Sequence, residues 1–262
     1  MSRQICKVTE HNKVSDDIYR ISLESQKIVS LCRPGQFVHI RINESFIPLL
    51  RRPFSIHRVS RQKGEFEILY RVVGCGTEML KRVKPGESLD VMGPLGRGFS
   101  IDGDFSDCLI VAGGMGSAPV FFLIDELLAR DKRIFLFWGT KTGGEIFGTS
   151  DLEKCGVKIR IATEDGSLGQ KGVVTDILAS FLRSLKSDSK IRGYTCGPRE
   201  MLKKVQNITA KSAVEWEASV EERMACGIGA CQGCCIKSAG GGYRLVCLDG
   251  PVFNLREIEF ND

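Results

Sequence analysis

Cys226, Cys231 and Cys234 stand in the spacing C-x4-C-x2-C, and Cys247 follows after twelve more residues. This is the plant-type ligand pattern for a [2Fe-2S] cluster, in which three thiolates come from one loop and the fourth from further along. Gly227, Gly229 and Gly233 suit such a loop, because wrapping a chain around inorganic sulfide needs unusual dihedrals and backbone amides close to sulfur. The competing reading is a structural zinc site on Cys231, Cys234, Cys247 and one other cysteine, although zinc knuckles usually show two separated C-x2-C pairs. The neighbouring Cys235 is a second candidate ligand; only Cys234 fits the spacing, so Cys235 is expected to be a buried bystander.

The cysteines also bear on the compartment. Eleven of them is an odd number for a disulfide framework, and clustered thiols in a reducing compartment serve metal or redox chemistry. The opening "MSRQICKVTE" lacks the apolar core of a signal peptide, which predicts a cytoplasmic protein. Apolar residues make up 42% and charged residues 26% of the 262-residue chain, a balance that argues against disorder and against a membrane span. The uncharged run "CLIVAGGMGSAPVFFLI" is broken by glycines, serine and proline, so it reads as strand, loop and helix start. A net charge of +5 without a basic run and interleaved aromatics gives no sign of nucleic-acid binding.

The pattern of the chain changes twice. Over residues 1–100, short strand-like runs ("DIYRISLES", "GQFVHIRI", "PFSIHRV", "EFEILYRVV", "ESLDVMGP") alternate with turns and predict a small antiparallel β-barrel. Over 101–218, apolar runs ("DCLIVAG", "RIFLFWGT", "VKIRIAT", "RGYTCG", "VEWEASVE") alternate with amphipathic helical segments and predict a doubly wound parallel α/β sheet. Residues 219–262 form a small cysteine- and glycine-rich segment with a short apolar tail. The fold expected is therefore multidomain, with barrel first, α/β sheet second and cluster segment last.

Two glycine turns fall at the carboxyl edge of the predicted sheet. "VAGGMGSAPV" ends a strand and opens a helix, where Gly113, Gly114 and Gly116 would let a diphosphate approach the backbone. A tight strand-to-helix turn would explain them too, since Pro119 stands where the dinucleotide fingerprint has its third glycine. "YTCGPREML" places Cys196, Gly197 and Pro198 at the same edge, where open α/β sheets bind ligands. Between them Glu164 or Asp165 could accept from ribose hydroxyls, favouring NAD; a solvated turn explains those acids equally well. In the barrel, "LLRRPFSIHRV" offers Arg51 and Arg52 to an anion, with Pro53 and Ser55 fixing an extended strand. "LYRVVGCGTEML" adds Arg71 and a glycine turn whose Thr77 opens a short helix, a set that suits a flavin diphosphate. His11, His39 and His57 fall in strand-like runs or at their edges, and no local catalytic triad is expected.

With these motifs the chain resembles the ferredoxin–NADP reductase superfamily: "RRPFS" is similar to its R-x-[YF]-S, "GGMGSAP" to its G-G-x-G-x-x-P, and "CGP" to its nicotinamide-side turn. The segments "ERMACGIGACQGC" and "CLDGPVF" resemble the electron-transfer subunits of type B dihydroorotate dehydrogenases. The resemblance implies FAD on Arg52, Pro53, Phe54, Ser55, Leu69, Tyr70, Arg71, Gly76 and Thr77. It implies one [2Fe-2S] cluster on Cys226, Cys231, Cys234 and Cys247, and NAD on the α/β domain. It further implies a separate FMN-containing dihydroorotate dehydrogenase catalytic subunit, two copies of each chain, and electrons passed to NAD+ in pyrimidine biosynthesis, with no dihydroorotate-oxidising residues here. The alternative partners are a ferredoxin, a sulfur-reducing complex or an oxygenase.

Overall fold

The computed structural model describes residues 2–185 and 190–260. The barrel is closed in the order β1-β2-β5-β4-β3-β6, built from β1 (Ser2–Lys13), β2 (Ile18–Glu24), β3 (Phe37–Arg41), β4 (Arg52–Ser60), β5 (Glu65–Arg71) and β6 (Ser88–Leu95). Alternate residues fill its interior, among them Ile21, Leu23, Val38, Ile40, Ile56, Ile68 and Val91, all buried. The short helix α1 (Gln26–Leu31) adds Ile28 and Val29 to that core, and Ser25 caps it by accepting from the Ile28 amide at 3.2 Å. Residues Cys75–Leu80 form α2.

Strand β1 was absent from the sequence reading. It pairs with β2 on one side and β6 on the other, yet only Cys6 and Val8 are buried along it. A strand closing a barrel between two partners needs few apolar residues, so its polar pattern gave no period-2 signal.

The second domain is a sheet in the order β10-β9-β8-β7-β11-β12-β15. Its strands are β7 (Asp107–Gly113), β8 (Arg133–Thr140), β9 (Lys158–Thr163), β10 (Gln170–Lys171), β11 (Ile191–Cys196) and β12 (Glu215–Ser219), with β15 (Val252–Asn254) from the C-terminal segment. Its helices are α3 (Ala118–Leu128), α4 (Thr149–Lys154), α5 (Val174–Ser184) and α6 (Arg199–Thr209). Strand β7 is buried throughout: Cys108, Ile110 and Ala112 face α3 and α4, while Leu109 and Val111 face α5 and α6. Helices on both faces are what a doubly wound sheet requires. The chain reverses direction across the sheet between β7 and β11, so the carboxyl ends of those strands frame a crevice.

The C-terminal segment carries the hairpin β13 (Cys235–Lys237) and β14 (Tyr243–Leu245). Its tail then pairs β15 antiparallel to β12, so the apolar end of the chain completes the neighbouring sheet. Among the described residues no helix is long and apolar enough to cross a membrane.

Candidate functional site

A cleft of about 510 Å³ opens on the barrel, lined by Arg52, Pro53, Phe54, Ser55, Leu69, Tyr70, Arg71 and Thr77. Gly76 lies behind them; a β-carbon there would stand 3.2 Å from Arg52 Nε, so the glycine leaves room for that guanidinium. The Thr77 hydroxyl accepts from the Val73 and Gly74 amides at 2.9 and 3.1 Å, closing the turn into α2. Tyr70 is fixed by His11 Nε2 on its hydroxyl at 2.8 Å and by the Tyr19 and Phe54 rings; burial raises its pKa.

The two arginines of "LLRRPFS" part company. Arg51 donates to the Asp90 carbonyl at 2.8 Å and to its carboxylate at 2.7 Å, so it ties β6 to β4 and is not free for an anion. Arg52 lines the cleft.

The cleft has a wall that sequence reasoning missed. Ser219, Val220, Glu221, Glu222, Met224 and Pro251 complete it, all from the end of β12 and the cysteine-rich segment. They come together only because β15 folds back onto β12, a pairing no local motif announces.

A second cavity of about 410 Å³ sits at the sheet's carboxyl edge and holds Gly113, Gly114, Pro198 and Glu164. Glu164 faces it; Asp165 instead accepts from the Ser167 amide and hydroxyl at 2.9 and 2.6 Å, closing its own turn. Gly116, Cys196 and Gly197 are absent from the lining. A β-carbon on Gly116 would stand 2.3 Å from the Cys196 carbonyl oxygen, and one on Gly197 3.0 Å from the Gly113 backbone. These residues hold the two glycine turns against each other. Gly139, Lys141, Glu145, Glu200 and Lys204 also line the cavity. The glycine in "FWGTK" was their nearest sequence signal, since its missing side chain lets Val174 approach β8. Arg71 and Met115 line both cavities, which therefore meet. Arg71 is paired there with Asp17 at 3.3 Å and with Glu145.

The four predicted thiols converge on one loop. Cys226 Sγ accepts from the Ile228 amide at 3.5 Å and the Cys231 amide at 3.4 Å. Cys247 Sγ accepts from Gly229 at 3.1 Å, and Cys234 Sγ from Cys247 at 3.4 Å. Burial raises the Cys226 thiol, but these amides outweigh it and bring the pKa down to about 6; Cys247, more enclosed and beside Cys234, is pushed up to about 12. Among the described residues no three His, Cys, Asp or Glu side chains form a group that could hold a single metal ion. Thiols spread around a loop and held by amide donors suit a cluster of several atoms. Cys235 is exposed, not buried as expected. It opens β13, whose alternation sends Cys235 outward and Ile236 inward, while Cys234 just before it is buried.

Among the histidines, His11 bonds Tyr70 and the Val83 carbonyl at 2.7 Å. His57 is buried against Phe121 and donates through Nδ1 to the Ala118 carbonyl at 2.8 Å. His39 is fully buried, and burial lowers its pKa while the nearby Cys226 carbonyl acts in the opposite sense.

Family models match the three parts in order: an oxidoreductase FAD-binding domain over residues 5–99, an oxidoreductase NAD-binding domain over 110–207, and the iron-sulfur cluster binding domain of dihydroorotate dehydrogenase B over 221–259. The dihydroorotate dehydrogenase B (NAD(+)) electron transfer subunit of Desulforamulus reducens is 40% identical over 243 residues, 92% of each chain. The chain belongs to this family of electron transfer subunits. The Bacillus mycoides member is 39% identical, covering 98% of this chain and 99% of its own. Among solved structures, that of the NADH-dependent reduced ferredoxin-NADP oxidoreductase superposes with a TM-score of 0.86 at 27% identity over 98% of this chain and 90% of its own. The ferredoxin reductase of carbazole 1,9a-dioxygenase shares the fold, with a TM-score of 0.69 at 20% identity over 81% of this chain and 66% of its own. As a family member, the chain is the electron-transferring component of an oxidoreductase and takes FAD, an iron–sulfur cluster and NAD.

Proposed function

We propose that this chain carries electrons between a dihydroorotate-oxidising partner subunit that holds FMN and NAD+, in a cytoplasmic complex with two copies of each subunit. The observation that carries the reading is continuity: the cysteine-rich segment walls the barrel cleft, and that cleft meets the nucleotide cavity at Arg71 and Met115. When bound, the cluster supplies one-electron transfer, and FAD exchanges one electron at a time on one side and two on the other.

The residues supply the rest. Cys226, Cys231, Cys234 and Cys247 would hold a [2Fe-2S] cluster, the sulfurs of Cys226, Cys234 and Cys247 already oriented by backbone amides. Arg52 would pair with the flavin diphosphate beside the α2 turn, Pro53, Phe54 and Ser55 would line the flavin along β4, and Leu69 and Tyr70 would form its floor. Gly113, Gly114 and Pro198 would take the NAD phosphates and nicotinamide, over turns spaced by Gly116, Cys196 and Gly197. Glu164 would accept from the adenosine ribose, which favours NAD over its 2′-phosphorylated analogue.

Co-expression with an FMN-containing dihydroorotate dehydrogenase tests this. The pair should reduce NAD+ with dihydroorotate, and Cys231→Ser should abolish that activity while NADH still reduces an artificial dye. Coupling that survives without the cluster, or no complex between the chains, would refute the reading.

A further inference from the structure

His39 sits where the barrel meets the cysteine loop. On β3 the alternation sends Val38 and Ile40 into the barrel core, whereas Phe37 belongs to the buried cluster that includes Cys234 and Cys247. His39, two residues on from Phe37, shares its outward side. Across the strand pair it stands opposite Pro53, in the wall of the barrel cleft. On its other side lies the cysteine loop: a β-carbon on Gly227 would fall 2.5 Å from His39 Nδ1. Gly227 has φ +71, so the loop both turns in the left-handed region and presses its bare backbone on the imidazole.

The ring is fully buried, and neither nitrogen makes a well-aligned hydrogen bond among the described residues, although the Cys226 and Arg51 backbone carbonyls lie close enough to act on it. A neutral imidazole carries one N–H and one acceptor nitrogen, and leaving both unpaired in a core is costly. Its strand is held firmly, since Arg51 donates to the His39 carbonyl at 3.4 Å while anchored on Asp90. A fully buried polar ring between two cofactor-type sites therefore has a donor to give, and on the loop side the acceptor beside it is the Cys226 carbonyl.

We propose that His39 is a positioning residue for electron transfer, its imidazole N–H holding the Cys226–Gly227 stretch of the cluster loop at a set distance from the flavin-binding strand. This rests on the functional reading above. The role needs a hydrogen-bond donor of the right reach, which Gln retains and Leu lacks.

The test uses purified holoprotein carrying His39→Leu and His39→Gln, with iron and FAD content, the electron paramagnetic resonance spectrum of the reduced cluster, and the stopped-flow rate of cluster reduction after NADH is mixed in. His39→Leu should shift the cluster spectrum and slow its reduction by about three- to tenfold, the weight of one hydrogen bond, with dye reduction by NADH unchanged. His39→Gln should restore both. A spectrum and rate unaltered in His39→Leu would overturn the proposal, and so would equal defects in the two variants, which would reduce the histidine to packing. If His39→Leu yields no folded protein, His39→Phe keeps a ring without a donor; an unshifted spectrum there overturns the proposal, and a shift that His39→Gln does not show supports it. Wild-type protein without flavin and iron–sulfur absorption would defeat the functional reading as well, which separates the two failures.

Discussion

His57 makes the union of the barrel and the α/β domain sensitive to acid. Its ring leaves β4, lies against Phe121 with centroids 4.8 Å apart, and donates through Nδ1 to the Ala118 carbonyl at the start of α3. Since a carbonyl only accepts, Nδ1 holds the proton and Nε2 is bare in the neutral ring. Protonating Nε2 would place a charge in the core. Burial is the main reason the pKa falls to about 3; the Ala118 carbonyl resists the fall, and the cationic Arg58 and Arg20 deepen it.

The sign follows from proton counting. Between pH 6.5 and about 3 the unfolded chain binds a proton at this site that the folded chain refuses, so stability is complete above pH 6.5 and drains as the pH falls. With an unfolded pKa near 6.5, the loss between pH 7.5 and pH 5.0 is about 2 kcal/mol. The perturbation that isolates it is His57→Gln, which keeps a donor for Ala118 and cannot titrate. Urea unfolding followed by circular dichroism at both pH values should show wild type losing about 2 kcal/mol more than the variant. Parallel losses would refute the reasoning, because every other titrating group is common to the two proteins.

Other substitutions separate neighbours that look alike. Arg52→Ala should weaken FAD binding by roughly ten- to a hundredfold, the weight of a hydrogen bond to a charged group, as read by flavin titration. Arg51→Ala should leave flavin affinity in place and lower the unfolding midpoint, because Asp90 loses the nearer of its two guanidinium partners and keeps only Arg3. Cys234→Ser should abolish iron–sulfur absorption, whereas Cys235→Ser, at an exposed site, should keep it and change stability by less than about 0.5 kcal/mol. Gly116→Ala, which drives a β-carbon into the Cys196 carbonyl, should cost about 1–3 kcal/mol and raise the KM for NADH in the dye assay with FAD content unchanged.

What the sequence made legible was local and periodic. "DCLIVAG" and "RIFLFWGT" coincide with β7 and β8, because fully buried parallel strands are unbroken apolar runs. Strand β1 escaped because its partners, not its composition, hold it. The cleft's aromatic and arginine side was written in contiguous motifs, but its far wall at Glu221 and Met224 came from a segment brought back by β15. Cys235 was misplaced because burial there follows strand alternation, which begins only after the cysteine loop ends. The pattern "GGMGS" suits both a phosphate approach and a tight turn and does not separate its glycines; Gly114 faces open space, whereas Gly116 serves the contact between two turns.

The cysteine segment also explains why all three parts occur in one chain. Its hairpin β13–β14 is too small to form a core alone. Ile236, Val246, Phe253, Leu255, Ile258 and Phe260 are instead buried in one cluster with Leu202 and Val205 of α6 and with Phe37 and Leu95 of the barrel. Gln206 adds donations to the Leu255 and Ile258 carbonyls at 2.5 and 2.8 Å. A segment anchored on both larger domains cannot drift relative to either without opening that core. The spacing of the thiols from the barrel cleft is thus set by close packing, and close-packed cores yield little. Electron transfer between separately held groups depends on such spacing, and here the core beneath the cysteine loop sets it between the thiols and the barrel.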